Sequence, residues 1–402
     1  MEVCKYYPVA NDRMGAIWTI SAIKDACVIE FGPAGTTHYA LEGIGSLNGQ
    51  EGARIYSTHM DQDDVTFGKY DRLEKAILEI DKNIKPNYIF VMASSISSII
   101  GADIESVCFE YEGQVNAKLV PITTGGLKDQ YHVGIENMLE LIVKEMVQAR
   151  EKDIDKYNIL GMTIDKFNHQ SDLEEIKRMM KVLFNKEVNT IFICDTSVEE
   201  IENGAQASLN IVVRKEALKA AEYLKETYGI PYIYANLYGL KNIESFIQSV
   251  EAIEGYTLNT EKYEQEVSAV KKHLFSVKRN FFFYKETKEC AIFGDYDTVR
   301  GMSDIITELG LVVNHAEILH KGRVEAPLIS GQTELTRMKY LKHQPLLFLL
   351  GDGSVNEMKN QAKGYLQISN PNFKRRMIYS YTPFMGFRGI LYLIEQILNI
   401  EL

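Results

Sequence analysis

Four short segments place small and polar residues directly after apolar runs, where an α/β protein presents ligand-facing loops. Phe31-Gly32-Pro33-Ala34-Gly35-Thr36-Thr37-His38 has two glycines that allow close backbone approach. Thr36 or Thr37 there can cap a following helix whose N–H groups face an anion. Val91-Met92-Ala93-Ser94-Ser95 ends a second apolar run in two hydroxyls, ahead of Gly101-Ala102-Asp103. Gly294-Asp295-Tyr296-Asp297-Thr298 and Gly351-Asp352-Gly353-Ser354 each read as strand, tight turn and helix cap. Ordinary strand-to-helix turn chemistry produces such strings too, and for any one loop taken singly it is the more economical reading.

Other chemistries find no pattern. No GxGxxG or Walker loop occurs, so nucleotide binding is not expected. Neither a Ser-His-Asp order, an HExxH motif nor a nucleophile elbow can be read. His38 and His132 lie in Gly-containing loops where a structural role is the simpler reading, and Thr37 with His38 is also a candidate for facing a cofactor. The five cysteines are scattered without a CxxC pair, which signals neither a disulfide framework nor a local zinc site. A reducing cytoplasm is the expected compartment. The start, Met1-Glu2-Val3-Cys4-Lys5, lacks the pattern of a signal peptide, and no apolar run is long enough to span a membrane. A net charge of −11 disfavours nucleic acid and leaves a basic protein partner open.

The elements that must position these loops follow from periodicity. Apolar runs at Ala26–Phe31, Ala53–Ser57, Tyr88–Ala93 and Lys118–Thr123 alternate with helical patterns such as Asp71–Asn83 and Ile135–Arg150. The polar stretch Glu151–Lys156 reads as a linker. Strands are then expected at Ile159–Thr163, Thr190–Cys194, Leu209–Val213 and Tyr232–Ala235. A third set is expected at Glu289–Phe293, Val312–Ile318, Pro345–Leu350 and Arg376–Ser380. The reading is an α/β chain of three modules with mostly parallel sheets, over residues 1–150, 151–258 and 259–402.

In this order, several strings resemble nitrogenase component 1 subunits. Gly15-Ala16-Ile17-Trp18 with Gly32-Pro33-Ala34-Gly35 is similar to the family's opening, and Ser57–Gly68 to its next segment. Ala93–Ile104 is similar to its Ser-x-x-Cys…Ile-Gly-Asp-Asp-Ile motif. Ala207–Val212, Tyr228–Tyr232, Gly294-Asp295 and Pro383–Gly389 continue the likeness. The resemblance implies three Rossmann-like domains around a central cleft, paired as a homodimer or as a heterodimer or heterotetramer with a related subunit. It also implies electrons from an ATP-dependent iron–sulfur reductase and a small-molecule or tetrapyrrole-like substrate in the inter-domain cleft, while the departures below argue against nitrogen fixation.

The same likeness marks where this chain departs from the family. Positions that supply cluster thiolates in the family hold Asn11, Thr36 and Ser95 here, and the cofactor's cysteine and histidine positions fall at Arg214 and near Arg376 or Ile378. Oxygen and amide side chains are poor iron ligands beside thiolates. Cys4, Cys27 and Cys108 are near these loops in sequence and are either displaced ligands or ordinary buried cysteines. An iron–sulfur cluster shared with a cysteine-bearing partner at the subunit interface is the cofactor the resemblance implies. Arg214, Lys215 and Arg376 are candidates for holding an anionic ligand, or are plain solvated charges. Two functions stay open: an oxidoreductase subunit, or a non-catalytic scaffold that binds or assembles a metallocofactor or serves as a structural half.

Overall fold

A computed structural model of the chain describes residues 4–6, 8–45, 47, 54–283, 287–372 and 379–399. Its architecture is α/β with three parallel sheets. The first holds β1 (Cys27–Phe31), β2 (Ile55–Ser57), β3 (Tyr88–Ala93) and β4 (Lys118–Ile122) in the order β2-β1-β3-β4. The second holds β5 (Asp153–Leu160), β6 (Glu187–Phe192), β7 (Ala207–Val212) and β8 (Tyr232–Tyr234) in the order β6-β5-β7-β8. The third holds β9 (Glu289–Gly294), β10 (Val312–Ile318), β11 (Ile329–Ser330), β12 (Pro345–Gly351) and β13 (Gln361–Gln367) in the order β11-β10-β9-β12-β13. No helix among the described residues is long and apolar enough to cross a membrane.

Parallel strands covered by helices on both faces need apolar side chains on both, which explains the continuous runs seen in sequence. Every residue of β3 and β7 is buried. On β1 and β3, Val28, Phe90 and Met92 face one core, while Ile29, Ile89 and Val91 face another. The first of these cores runs on through all three sheets.

Two expectations are corrected by the fold. Glu151–Lys156 is mostly strand, because β5 begins at Asp153 with a polar, partly exposed half before its buried half. The last strand among the described residues is Gln361–Gln367, which the sequence pattern did not mark. It lies at a sheet edge, where one side meets solvent and Gln361 and Lys363 are tolerated. Tyr379 and Ser380 are outside any strand, and Arg376 and Ile378 lie outside the described residues.

Helices Asp12–Ile20 and Tyr131–Met146 cross at near backbone contact. A Cβ on Gly15 would sit 1.9 Å from the Tyr131 carbonyl oxygen, and one on Gly134 would sit 1.8 Å from that of Asp12. Only glycine permits this approach. It sets Trp18 and Tyr131 side by side, with ring centroids 5.7 Å apart, at the edge of the space between the sheets.

Candidate functional site

In open parallel sheets, ligands bind beyond the carboxyl ends of strands where the strand order reverses direction. That point lies between β1 and β3, between β5 and β7, and between β9 and β12. The residues at these three reversals are Gly32 with Ser94, Thr163 with Arg214, and Asp295 with Asp352.

At the first reversal, the loops are drawn together by the Gly125-Gly126 turn and by Arg13. Asn11 caps helix Asp12–Ile20, accepting from the Met14 N–H at 3.0 Å, and its amide group packs on Gly126. Ser95 donates to the Gly125 carbonyl at 2.8 Å. Thr36 donates to the Pro33 carbonyl at 2.8 Å, and its own carbonyl accepts from Arg13 Nη2 at 2.9 Å. Asn11 and Ser95 therefore share one turn, and Thr36 joins them through Arg13. Thr37 turns inward and donates to Glu30 Oε2 at 2.7 Å. His38 is exposed, with Glu42 of its own helix 3.9 Å from its Nε2. Around the cluster, Tyr39, Ile99 and Leu127 leave large apolar side chains in solvent, Ile99 at 67% exposure.

Sequence reasoning missed the ion pair beneath this cluster. Arg13 donates from Nε and Nη2 to Glu30 Oε1 at 3.0 and 2.5 Å, and both side chains are buried. The signal was present: Glu30 is the single charge in the strand Cys27-Val28-Ile29-Glu30-Phe31, and a buried carboxylate requires a cation.

The cysteines do not supply the missing thiolates. Cys27 and Cys108 are buried in the same core, on the side of the first sheet that faces away from Trp18 and Tyr131. Burial raises both thiols, Cys108 to about 12. Cys290 is held at about 12 for the same reason. Cys4 is exposed and donates to Glu334 at 2.8 Å. Among the described residues, no three His, Cys, Asp or Glu side chains are placed to hold a metal ion. The residues at the loops do not fit an iron–sulfur cluster supplied with ligands by this chain.

The second and third reversals meet in a cleft. Arg214 is 0% exposed and already committed: Nη1 donates to Thr163 and both Asp165 oxygens at 2.8 Å, and Nε donates to Glu216 at 2.9 Å. Its charge is thus offset by two carboxylates, while Nη2 is buried without a partner among the described residues. Lys215 is exposed, with its ammonium over the Tyr296 ring. Lys166, also buried, pairs with Asp295 at 3.3 Å. That lysine and Arg214 hold the Asp295 carboxyl well below the usual range, against the opposing effect of burial. Asp297 receives the Tyr234 hydroxyl at 2.5 Å and the Lys215 N–H at 2.9 Å, and burial raises it to about 6. Behind these groups, His132 and His320 stack with centroids 3.9 Å apart. Burial lowers both imidazoles, His132 to about 4.

The comparisons with known proteins agree with this architecture. Among curated relatives, the chain is 28% identical over 288 residues to the nitrogenase iron-molybdenum cofactor biosynthesis protein NifE of Clostridium pasteurianum, covering 69% of this chain and 61% of that one. It is 22% identical to the cofactor biosynthesis protein NifN of Bradyrhizobium diazoefficiens, over 99% of this chain and 90% of that one. To the nitrogenase molybdenum-iron protein beta chain of Methanococcus maripaludis it is 22% identical, over 97% and 93%. The aligned regions span between half and about three fifths of the first NifE relatives. The solved structure of nitrogenase Cp1 at pH 6.5 superposes with a TM-score of 0.83 at 17% identity, covering 100% of this chain and 93% of that one, a likeness of fold. Residues 12–401 match the family described as nitrogenase component 1 type oxidoreductase, and the chain belongs to that family.

Proposed function

We propose that the chain is a component 1-type subunit that works by binding: it pairs with a related, cysteine-bearing subunit and serves in holding or assembling a metallocofactor. One observation carries this reading. The loop cluster around Asn11, Thr36 and Ser95 is compact and presents amide and hydroxyl groups, and the thiols of Cys27, Cys108 and Cys290 are buried in cores. Exposed Tyr39, Ile99 and Leu127 beside the cluster supply the apolar rim expected of a subunit interface. The cofactor biosynthesis relatives favour the same reading.

The test is anaerobic purification of the chain alone and co-expressed with a cysteine-bearing relative, followed by iron analysis and mass measurement. The expected result is an iron-free chain alone and a stable heteromer whose iron follows the partner. Iron at one cluster per chain in the isolated protein would overturn it. It would support instead the redox reading, in which an ATP-dependent iron–sulfur reductase feeds a cluster used on a substrate in the cleft.

A further inference from the structure

The helix Thr260–Phe283 connects the second sheet to the third and packs on the helices Gly386–Leu398 and His169–Phe184. Residues four and then three apart share one face of a helix, so its second half divides into rows. Val270, Leu274, Val277 and Phe281 form the buried row. Two further rows at the same spacing are Lys271-Phe275-Lys278-Phe282 and Lys272-Ser276-Arg279-Phe283, and every member of both is exposed. Phe275, Phe282 and Phe283 are 71, 76 and 70% exposed, so their rings project into solvent.

The charge of this face is opposite to that of the chain. Residues 267–288 carry six Lys and Arg against one acid, Glu286, in a protein of net charge −11. Residues 284–286, outside the described residues, supply one cation and one acid and leave that surplus unchanged. Lys272, Lys278 and Arg279 pair with no carboxylate among the described residues. Lys271 reaches Glu244 at 3.5 Å, with both side chains partly in solvent. Lys288 donates to the Phe282 carbonyl at 3.3 Å and holds its ammonium over the Phe282 ring. Val312, whose N–H donates to the Lys288 carbonyl at 3.0 Å, adds a fourth exposed apolar side chain. A solvated helix face accounts for the cations by themselves. It does not account for phenylalanines set between them, because single exposed apolar residues are ordinary but a group of them on one face marks a contact surface.

An anionic lipid surface fits these features together. The cores of protein interfaces are depleted in Lys, whereas helices that lie on membranes are rich in Lys and Arg and anchor through residues such as Phe. The two rows run ~18 Å along the outer side of a helix, and a fluid headgroup layer closes around projecting rings without needing matched pockets. A second copy meeting this face with its own would bring like charges together. The acid surplus of the rest of the chain repels an anionic bilayer, which leaves this face as the one that approaches it.

We propose that this face docks the protein peripherally on an anionic phospholipid bilayer, without spanning it. Phe275, Phe282 and Phe283 enter the headgroup layer, and Lys272, Lys278 and Arg279 pair with lipid phosphates. The surface is built on different elements from the loops around Asn11, Thr36 and Ser95 and does not depend on their role.

The test is flotation of the full chain with vesicles of phosphatidylcholine alone, or of phosphatidylcholine and phosphatidylglycerol in equal parts, at about 0.1 M salt. The mixed vesicles are expected to retain at least tenfold more protein than the neutral ones, a difference that about 1 M salt removes. The triple variant Lys272→Glu, Lys278→Glu, Arg279→Glu and the double variant Phe275→Ser, Phe282→Ser each lower binding to mixed vesicles at least tenfold. Circular dichroism establishes that both are folded, as the exposure of all five side chains leads one to expect. Phe109→Ser, at an exposed ring on the first module, leaves binding unchanged. Phe282→Trp adds an emission that shifts to the blue on mixed vesicles, against the parent's Trp18 as baseline. Equal binding to both kinds of vesicle, binding to neither, or a loss in Phe109→Ser as large as in the double variant overturns the proposal. A fall in mass by light scattering in the triple or double variant, without vesicles, would make the face a contact between subunits and overturn it too. Tighter binding of a single-stranded RNA oligomer than of mixed vesicles has the same consequence. None of these results bears on where the iron of a heteromer resides.

Discussion

Replacing Arg214 with alanine should unfold the cleft rather than merely empty it. The guanidinium is fully buried and is held by Asp165, Glu216 and Thr163. Removing one partner of a buried ion pair costs about 3–5 kcal/mol, because the remaining charge is left desolvated. Here two carboxylates are stranded, so the upper end applies, and the melting temperature should fall on the order of 10 °C. The loss is electrostatic, so it should be largely reversed by neutralising the acids: Arg214→Met with Asp165→Asn and Glu216→Gln should recover more than half of it. Acid should also restore the single variant. Without Arg214 the Glu216 carboxyl keeps the burial that raises it and loses the main cation that lowers it, so its folded pKa should rise above the unfolded one and stability should return as pH falls. The assay is thermal and urea unfolding followed by circular dichroism at pH 8 and pH 5. A loss below about 1 kcal/mol at pH 8, or a triple variant as weak as the single one, would refute the view of a dry, charge-compensated cleft wall.

Three further outcomes follow from the geometry. Gly15→Ala should lower stability by at least 2 kcal/mol, since its methyl group would meet the Tyr131 backbone at 1.9 Å; a melting temperature equal to the parent's would contradict the close crossing. His132 has a folded pKa of about 4, below the unfolded value of 6.5, so it contributes stability above pH 6.5 that is lost as pH falls towards 4. This amounts to about 2–3 kcal/mol, and His132→Phe, which keeps a stacking ring on His320, should gain on the parent across that window in urea titrations. Asp172 accepts from the Phe384 and Met385 N–H groups at 2.6 and 3.0 Å, and burial raises it to about 7. Its raised pKa therefore makes stability fall as pH rises from about 4 to about 7, so Asp172→Asn should stabilise fully at pH 8, only partly at pH 5, and be neutral at pH 4 and below; destabilisation at pH 8 would show the charge itself to be needed.

The parts of this molecule that could be read from sequence are those whose cause is local. Tyr88–Ala93 and Leu209–Val213 announce buried parallel strands because both faces must be apolar. The four loops stood out because turn chemistry is also ligand-loop chemistry, and all four fall where strand order reverses. Gln361–Gln367 was invisible because an edge strand need satisfy only one face. The cleft was opaque for a different reason. Arg214 read as a free cation because nothing near it in the chain declares that Asp165, 49 residues earlier, will neutralise it. The bond from Asn370 to Asp165 spans 205 residues and is equally silent. Charge type is written locally, but charge balance is a property of the fold. The resemblance placed Arg214 at a cofactor position, and only the fold shows that Asp165 and Glu216 already offset its charge there. What a cleft selects thus depends on its uncompensated charge rather than on the charged residues it contains.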